Sequence, residues 1–155
     1  MTGREDQKEN DLFFTCSLIE YIARKTKNKR SDTVDVLGRA SIEKIYDLAD
    51  VYHSDNIETV SDSSIEKSGL KEGTFDNVSD AKYAVPSPWD IGKIYKRLIL
   101  GISREKGLSV MDSLFEAYHS FGKSKSPAEP AICFFMCFRN YPLIPCILIP
   151  CTKYF

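Results

Sequence analysis

Ser87-Pro88-Trp89-Asp90-Ile91-Gly92-Lys93-Ile94-Tyr95-Lys96-Arg97-Leu98-Ile99-Leu100-Gly101-Ile102-Ser103-Arg104-Glu105-Lys106-Gly107 carries the clearest structural instruction in the chain. Ser87 suits an N-cap and Pro88 the first helical position, and Asp90 stands three residues after Ser87, the spacing of a capping box. Ile91, Ile94, Tyr95, Leu98, Ile99 and Ile102 recur every three or four residues, so one apolar stripe runs along a helix that reaches about Lys106. Gly107 ends it. The other side carries Lys93, Lys96, Arg97 and Arg104, a basic face available to an acidic partner or to the chain's own acids.

Working outward, the same period appears on both sides. Ser109 caps a following helix with Met111, Leu114, Phe115 and Tyr118 on one face, before Gly122. Near the start, Leu12, Phe13, Cys16, Ile19, Ile22 and Ala23 make the stripe of a helix from about Asn10 to Lys27, with Asn10 or Asp11 as its cap. Ser31 or Asp32 opens a short helix with Val34, Val36 and Leu37 that stops at Gly38. Ile42, Ile45, Tyr46, Leu48, Ala49 and Tyr52 mark another from about Ser41 to Tyr52. Ile57-Glu58-Thr59-Val60 alternates and predicts a short strand, whereas Pro86 and Pro88 favour extended backbone near 82–86. The expected fold is therefore mainly α, a compact multi-helix domain over 10–122 with irregular or extended pieces at 57–60 and 82–86. A flexible start over 1–9 and a linker with an apolar tail over 123–155 flank it.

The 155 residues, 43% apolar and 28% charged, suffice for one domain with a true core. The start has no uninterrupted apolar stretch behind a basic beginning, so no secretory signal is read there and a cytoplasmic location is expected. Five cysteines, odd in number and unevenly spread, argue for free thiols. Charged residues make up 32% of the first 125 positions but 10% of the last 30. Residues 131–152 are apolar enough to raise membrane association as an alternative. Against a clean span, Arg139 would cost about 2.5–3.5 kcal/mol at the bilayer centre, and Pro142, Pro145 and Pro150 interrupt any single helix.

The net charge of -1 excludes a strongly basic nucleic-acid coat, but it hides an asymmetry. Residues 43–80 hold 3 basic and 10 acidic groups, and residues 81–125 hold 8 and 4. The acidic surface contributes Asp47, Asp50 and Glu58 as candidate partner-binding residues, and the basic helix face contributes Lys93, Lys96 and Arg97. Arg24–Arg30 places five cations in seven residues, where a helix end favours positive charge. Phosphate-loop, dinucleotide, zinc-protease and nucleophile-elbow motifs are missing, so no catalytic residue, metal ligand, cofactor or small-molecule substrate is assigned. Gly107-Leu108 could join a helix-turn-helix, yet the second helix carries Asp112 and Glu116, which disfavours nucleic acid. An enzymatic alternative would centre on Tyr52 and His53, with Trp89 and carboxylates converging on them.

The runs Asp11-Leu-Phe-Phe-Thr-Cys-Ser-Leu-Ile-Glu-Tyr-Ile-Ala-Arg-Lys25, Ile45-Tyr-Asp-Leu-Ala-Asp-Val-Tyr-His-Ser54 and Asp62-Ser-Ser-Ile-Glu66 resemble a small bacterial domain family of unassigned function. In that family a Phe-rich first helix precedes a Tyr-Asp-Val-Leu-His segment and an acidic helix. This chain departs from it with Ala49-Asp50-Val51-Tyr52 before the histidine. Such domains tend to be encoded beside genes for ADP-ribosyltransferase-like toxins, so the resemblance, confined to residues 11–66, implies an antitoxin-like or accessory role. Joined to the residue reading, it leads to the expectation of a non-catalytic protein-interaction module that works through a protein partner.

Overall fold

Helix α1, Gln7–Lys25, is the axis around which the other elements are laid. The computed structural model describes residues 6–76, 78–79 and 85–121. Asp6 caps α1, accepting from the Lys8 backbone N–H at 3.2 Å. The helix therefore starts ahead of its apolar pattern, and the polar residues Gln7–Glu9, expected in a flexible start, form its first turn. A local reason is that the Gln7 amide and the Lys8 ammonium both reach Asp11, at 3.2 and 3.5 Å.

Six helices follow, α2 (Arg30–Leu37), α3 (Arg39–Asp47), α4 (Ala49–Tyr52), α5 (Ile57–Ser68), α6 (Pro88–Lys106) and α7 (Val110–Phe121), with no strand among the described residues. The protein is mainly α, as the periodicity predicts. Besides the earlier start of α1, which Asp6 caps in place of Asn10 or Asp11, and a start of α2 at Arg30 without a side-chain cap from Ser31 or Asp32, two elements differ from the sequence reading. The helix expected over 41–52 is divided at Leu48 into α3 and α4. The strand expected over Ile57–Val60 is instead the first turn of α5. Asn56 accepts from the Glu58 N–H at 3.0 Å and so caps a helix, and Ile57 and Val60, three apart, share its inner side. Val85 and Pro86 belong to no regular element. Residues 82–84, Gly122 and the expected tail over 123–155, including the 131–152 stretch, lie outside the described residues. Among those described, no helix is long and apolar enough to cross a membrane.

α6 lies against α1 over most of its length, α7 folds back on α6 and touches α2, and α2 through α5 wrap the remaining sides of α1. Leu12, Leu18, Ile19 and Ile22 of α1 meet Ile91 and Ile99 of α6 and Leu114 of α7 in a core where each is fully or almost fully buried. Polar side chains inside α1 are satisfied locally: the Thr15 hydroxyl donates to the Asp11 carbonyl and that of Ser17 to the Phe13 carbonyl, both at 2.8 Å. Beyond α5, the chain passes the end of α1, where the Gly73 and Phe75 amides donate to the Thr26 and Lys27 carbonyls at 2.8 Å.

The capping box that opens α6 is present in full. The Asp90 N–H donates to Ser87 Oγ at 3.1 Å, and the Ser87 N–H and hydroxyl donate to the Asp90 carboxylate at 3.3 and 2.7 Å. The Ser87 hydroxyl, with help from its backbone N–H, holds the Asp90 carboxyl below its ordinary range. A carboxylate with a lowered native pKa contributes stability above its unfolded value, roughly 3.9, and loses it as pH falls through the native value. Ser87→Ala is thus expected to cost about 0.5–2 kcal/mol in urea unfolding at pH 7. The gap from wild type should narrow as the pH is lowered past that range.

Candidate interaction site

Lys93 and Arg97, four residues apart on α6, project from the same side of the helix as Lys96, and all three line one cleft with Asn10 and Phe13 of α1. The cleft has a volume of about 280 Å³. Lys93 and Arg97 are exposed, whereas Lys96 is only 8% exposed, its stem buried beneath the rim. Phe13 forms an apolar wall and packs against the Trp89 ring at 5.8 Å between centroids. Trp89 remains 37% exposed, so an aromatic edge borders the cations. Among the described residues no aspartate or glutamate lines the cleft. Among the described residues neither Lys93 nor Arg97 makes an ion pair, and Lys93 acts electrostatically on Asp90 at the helix start. The basic residues singled out in the sequence are thus brought together. Asn10 and Phe13, their partners across the helix interface, carry no mark of the site in the linear chain, since only the tertiary crossing of α1 and α6 joins them.

The acidic candidates are placed differently. Asp47 lies 3.8 Å from the Lys8 ammonium, Asp50 accepts from the Gln7 amide at 3.3 Å, and Glu58 lies 4.0 Å from the Lys25 ammonium. All three are exposed, yet each already meets an α1 side chain. Much of the positive charge at the end of α1 also turns inward. Lys25 reaches Asp62 at 2.6 Å, Lys27 reaches Glu72 at 3.4 Å, and Lys29 lies 5.7 Å from the centre of the Phe75 ring. The cation-rich run therefore clasps α5 and the segment after it.

The remaining two cations of that run meet a buried carboxylate that the sequence does not single out. Glu20, fully buried, accepts from Arg24 Nε at 2.7 Å and from both Nε and Nη2 of Arg30, the latter at 3.0 Å. Arg30 is itself 1% exposed. Burial works against its charge, but the adjoining Glu20 carboxylate overrides this and holds the guanidinium above its ordinary range. Beside this pair, Tyr95 and Tyr118 stack in parallel with centroids 4.2 Å apart. Burial pushes both phenols up, and it pushes the Cys16 thiol up to about 12, so all three are neutral around the ion pair at pH 7. The cluster fastens α2, α6 and α7 to α1.

Tyr52, His53 and Trp89 do not converge. Tyr52 lines a cavity shared with α5, His53 packs against Phe14 at 5.4 Å, and Trp89 packs against Phe13. Among the described residues no three of His, Cys, Asp and Glu are placed to hold a metal ion. No protein-family model matches the chain, and neither a curated protein nor a solved structure matches it.

Proposed function

We propose that the chain is a non-catalytic protein-interaction module that receives an acidic segment of a partner protein in the cleft between α1 and α6. The observation that carries this reading is the convergence of Lys93, Lys96 and Arg97 beside Phe13 in a cleft that no acid among the described residues lines. Cations at a cleft with an apolar wall attract carboxylates, and the neighbouring Phe13–Trp89 pair offers an amphipathic surface for an apolar residue among them. The second candidate surface, at Asp47, Asp50 and Glu58, is less suited because its carboxylates already meet α1 side chains. The likeness of residues 11–66 to toxin-neighbouring bacterial domains supports an antitoxin-like or accessory role in the cytoplasm, with the partner a toxin or a protein associated with one.

A fluorescent glutamate-rich peptide carrying one leucine tests the cleft by anisotropy, against a peptide in which glutamine replaces every glutamate. The acidic peptide is expected to bind at least about tenfold more tightly, with an affinity that falls as salt is raised. Lys93→Glu combined with Arg97→Glu should remove that preference. It should also abolish co-purification of a stoichiometric partner from the native host. Equal binding of the two peptides, or a preference that survives charge reversal, overturns the reading.

A further inference from the structure

A second cavity, about 220 Å³, lies on another side of the molecule, between α2, α3, α4 and α5. Its lining is layered. Leu37, Ile45 and Val60, each 4–5% exposed, supply apolar surface from three helices. Ser41, Ser63, Ser64 and Tyr52 supply hydroxyls, and Lys44 and Lys67 are exposed at its edge. The Ser64 hydroxyl donates to the Val60 carbonyl at 2.8 Å. Those of Ser41, Ser63 and Tyr52 make no hydrogen bond among the described residues, so their protons are available.

The charge at this cavity runs against its surroundings. Residues 43–80 contain only three cations, Lys44, Lys67 and Lys71, against 10 acids. Two of those three line the cavity, and none of the acids among the described residues does. Neither Lys44 nor Lys67 makes an ion pair among the described residues, unlike Lys8, Lys25 and Lys27, which do pair with the acidic block. A local excess of ammonium and hydroxyl donors over an apolar floor suits an anion that carries a short hydrocarbon body. The volume falls below the roughly 300–1,000 Å³ typical of pockets for drug-sized ligands, which restricts the occupant to a small one.

We propose that the cavity between α2, α3, α4 and α5 binds a small carboxylate with a short apolar chain, its head group held by Lys44, Lys67 and the adjoining hydroxyls and its chain laid on Leu37, Ile45 and Val60. This site is independent of the α1–α6 cleft, so either can fail without the other. Hexanoate is the probe, with hexan-1-ol as the uncharged control and acetate as the head group alone. In a titration of the full chain followed by amide NMR, hexanoate is expected to give saturable shifts centred on residues 37–67. It should bind at least about tenfold more tightly than either control. Lys44→Met with Lys67→Met, both exposed positions, should erase the preference over hexan-1-ol, and Ser63→Ala should weaken hexanoate binding by a smaller factor. The proposal is overturned by equal affinity for hexanoate and hexan-1-ol or by shifts that never saturate. Shifts centred on the α1–α6 cleft, or a charge preference that survives the double substitution, overturn it as well.

Discussion

Glu20→Gln is expected to lower the stability of the chain by about 3–5 kcal/mol, the cost of breaking a buried ion pair from one side. The carboxylate is fully buried and accepts from Arg24 and, through two nitrogens, from Arg30, which is itself 1% exposed. Glutamine keeps the shape but removes the charge, and its amide donors would face guanidinium donors. Arg24 is half-buried and still donates through Nη2 to the Pro86 carbonyl at 2.7 Å. Arg30 has only the neutral Tyr95 phenol beside it among the described residues, and a buried guanidinium without a carboxylate is what makes the substitution costly. The converse experiment separates this cause from lost packing. Replacing both members, Glu20→Leu with Arg30→Met, removes the charge as well as its partner, and buried pairs exchanged for apolar groups of similar volume are often neutral. The double variant should therefore recover most of the stability lost by Glu20→Gln in urea unfolding at pH 7. A single-substitution cost below about 1 kcal/mol, the range of exposed pairs, would show that water reaches the cluster.

That pair also marks where reading the sequence stops. Periodicity exposes amphipathic helices well, and α6 appears with its capping box, its inner residues and its end at Gly107 in place. Periodicity is weakest for a helix that is covered on all sides. Of the α1 stripe, Leu12, Cys16, Ile19, Ile22 and Ala23 are buried and Phe13 only partly, while Phe14, Leu18, Thr15, Ser17 and Glu20 are buried as well, because five other helices surround it. Glu20 then resembles any exposed acid in the linear chain, and Arg30 one more member of a basic run. Nothing local joins residues ten apart on two different helices. The four-residue alternation at Ile57–Val60 is too short to tell a strand from a helical turn, and the Asn56 cap decides it. At the cleft, Lys93 and Arg97 are legible as neighbours on one helix. Helical spacing puts Lys96 on the same open face, yet the closeness of α1 buries most of it.

α6 approaches α1 closely at Gly92, and Gly92→Ala is expected to destabilise the chain by about 1–3 kcal/mol despite favouring the helix. In an exposed helix interior the exchange would gain about 1 kcal/mol, since alanine restricts the unfolded chain more and covers the backbone. Here a Cβ at residue 92 overlaps Ser17 Oγ and stands 3.0 Å from both Cα and Cβ of Ser17. The hydroxyl could rotate away from its bond to the Phe13 carbonyl, but the Cα belongs to the backbone of the central helix and cannot yield alone. Relief therefore requires α6 to move outward, which loosens Ile91, Tyr95 and Ile99 from the core they share with α1. The same movement carries Lys93, Lys96 and Arg97 away from Asn10 and Phe13, so binding of the acidic peptide should weaken together with stability. Ser17→Ala in the Gly92→Ala background tests the cause. It removes the overlapping oxygen but leaves the crowding against the rest of residue 17, and should return part of both losses, a coupling that two independent substitutions would not show. If Gly92→Ala instead raises the urea midpoint, helix propensity has outweighed the crowding and the two helices have room to spare.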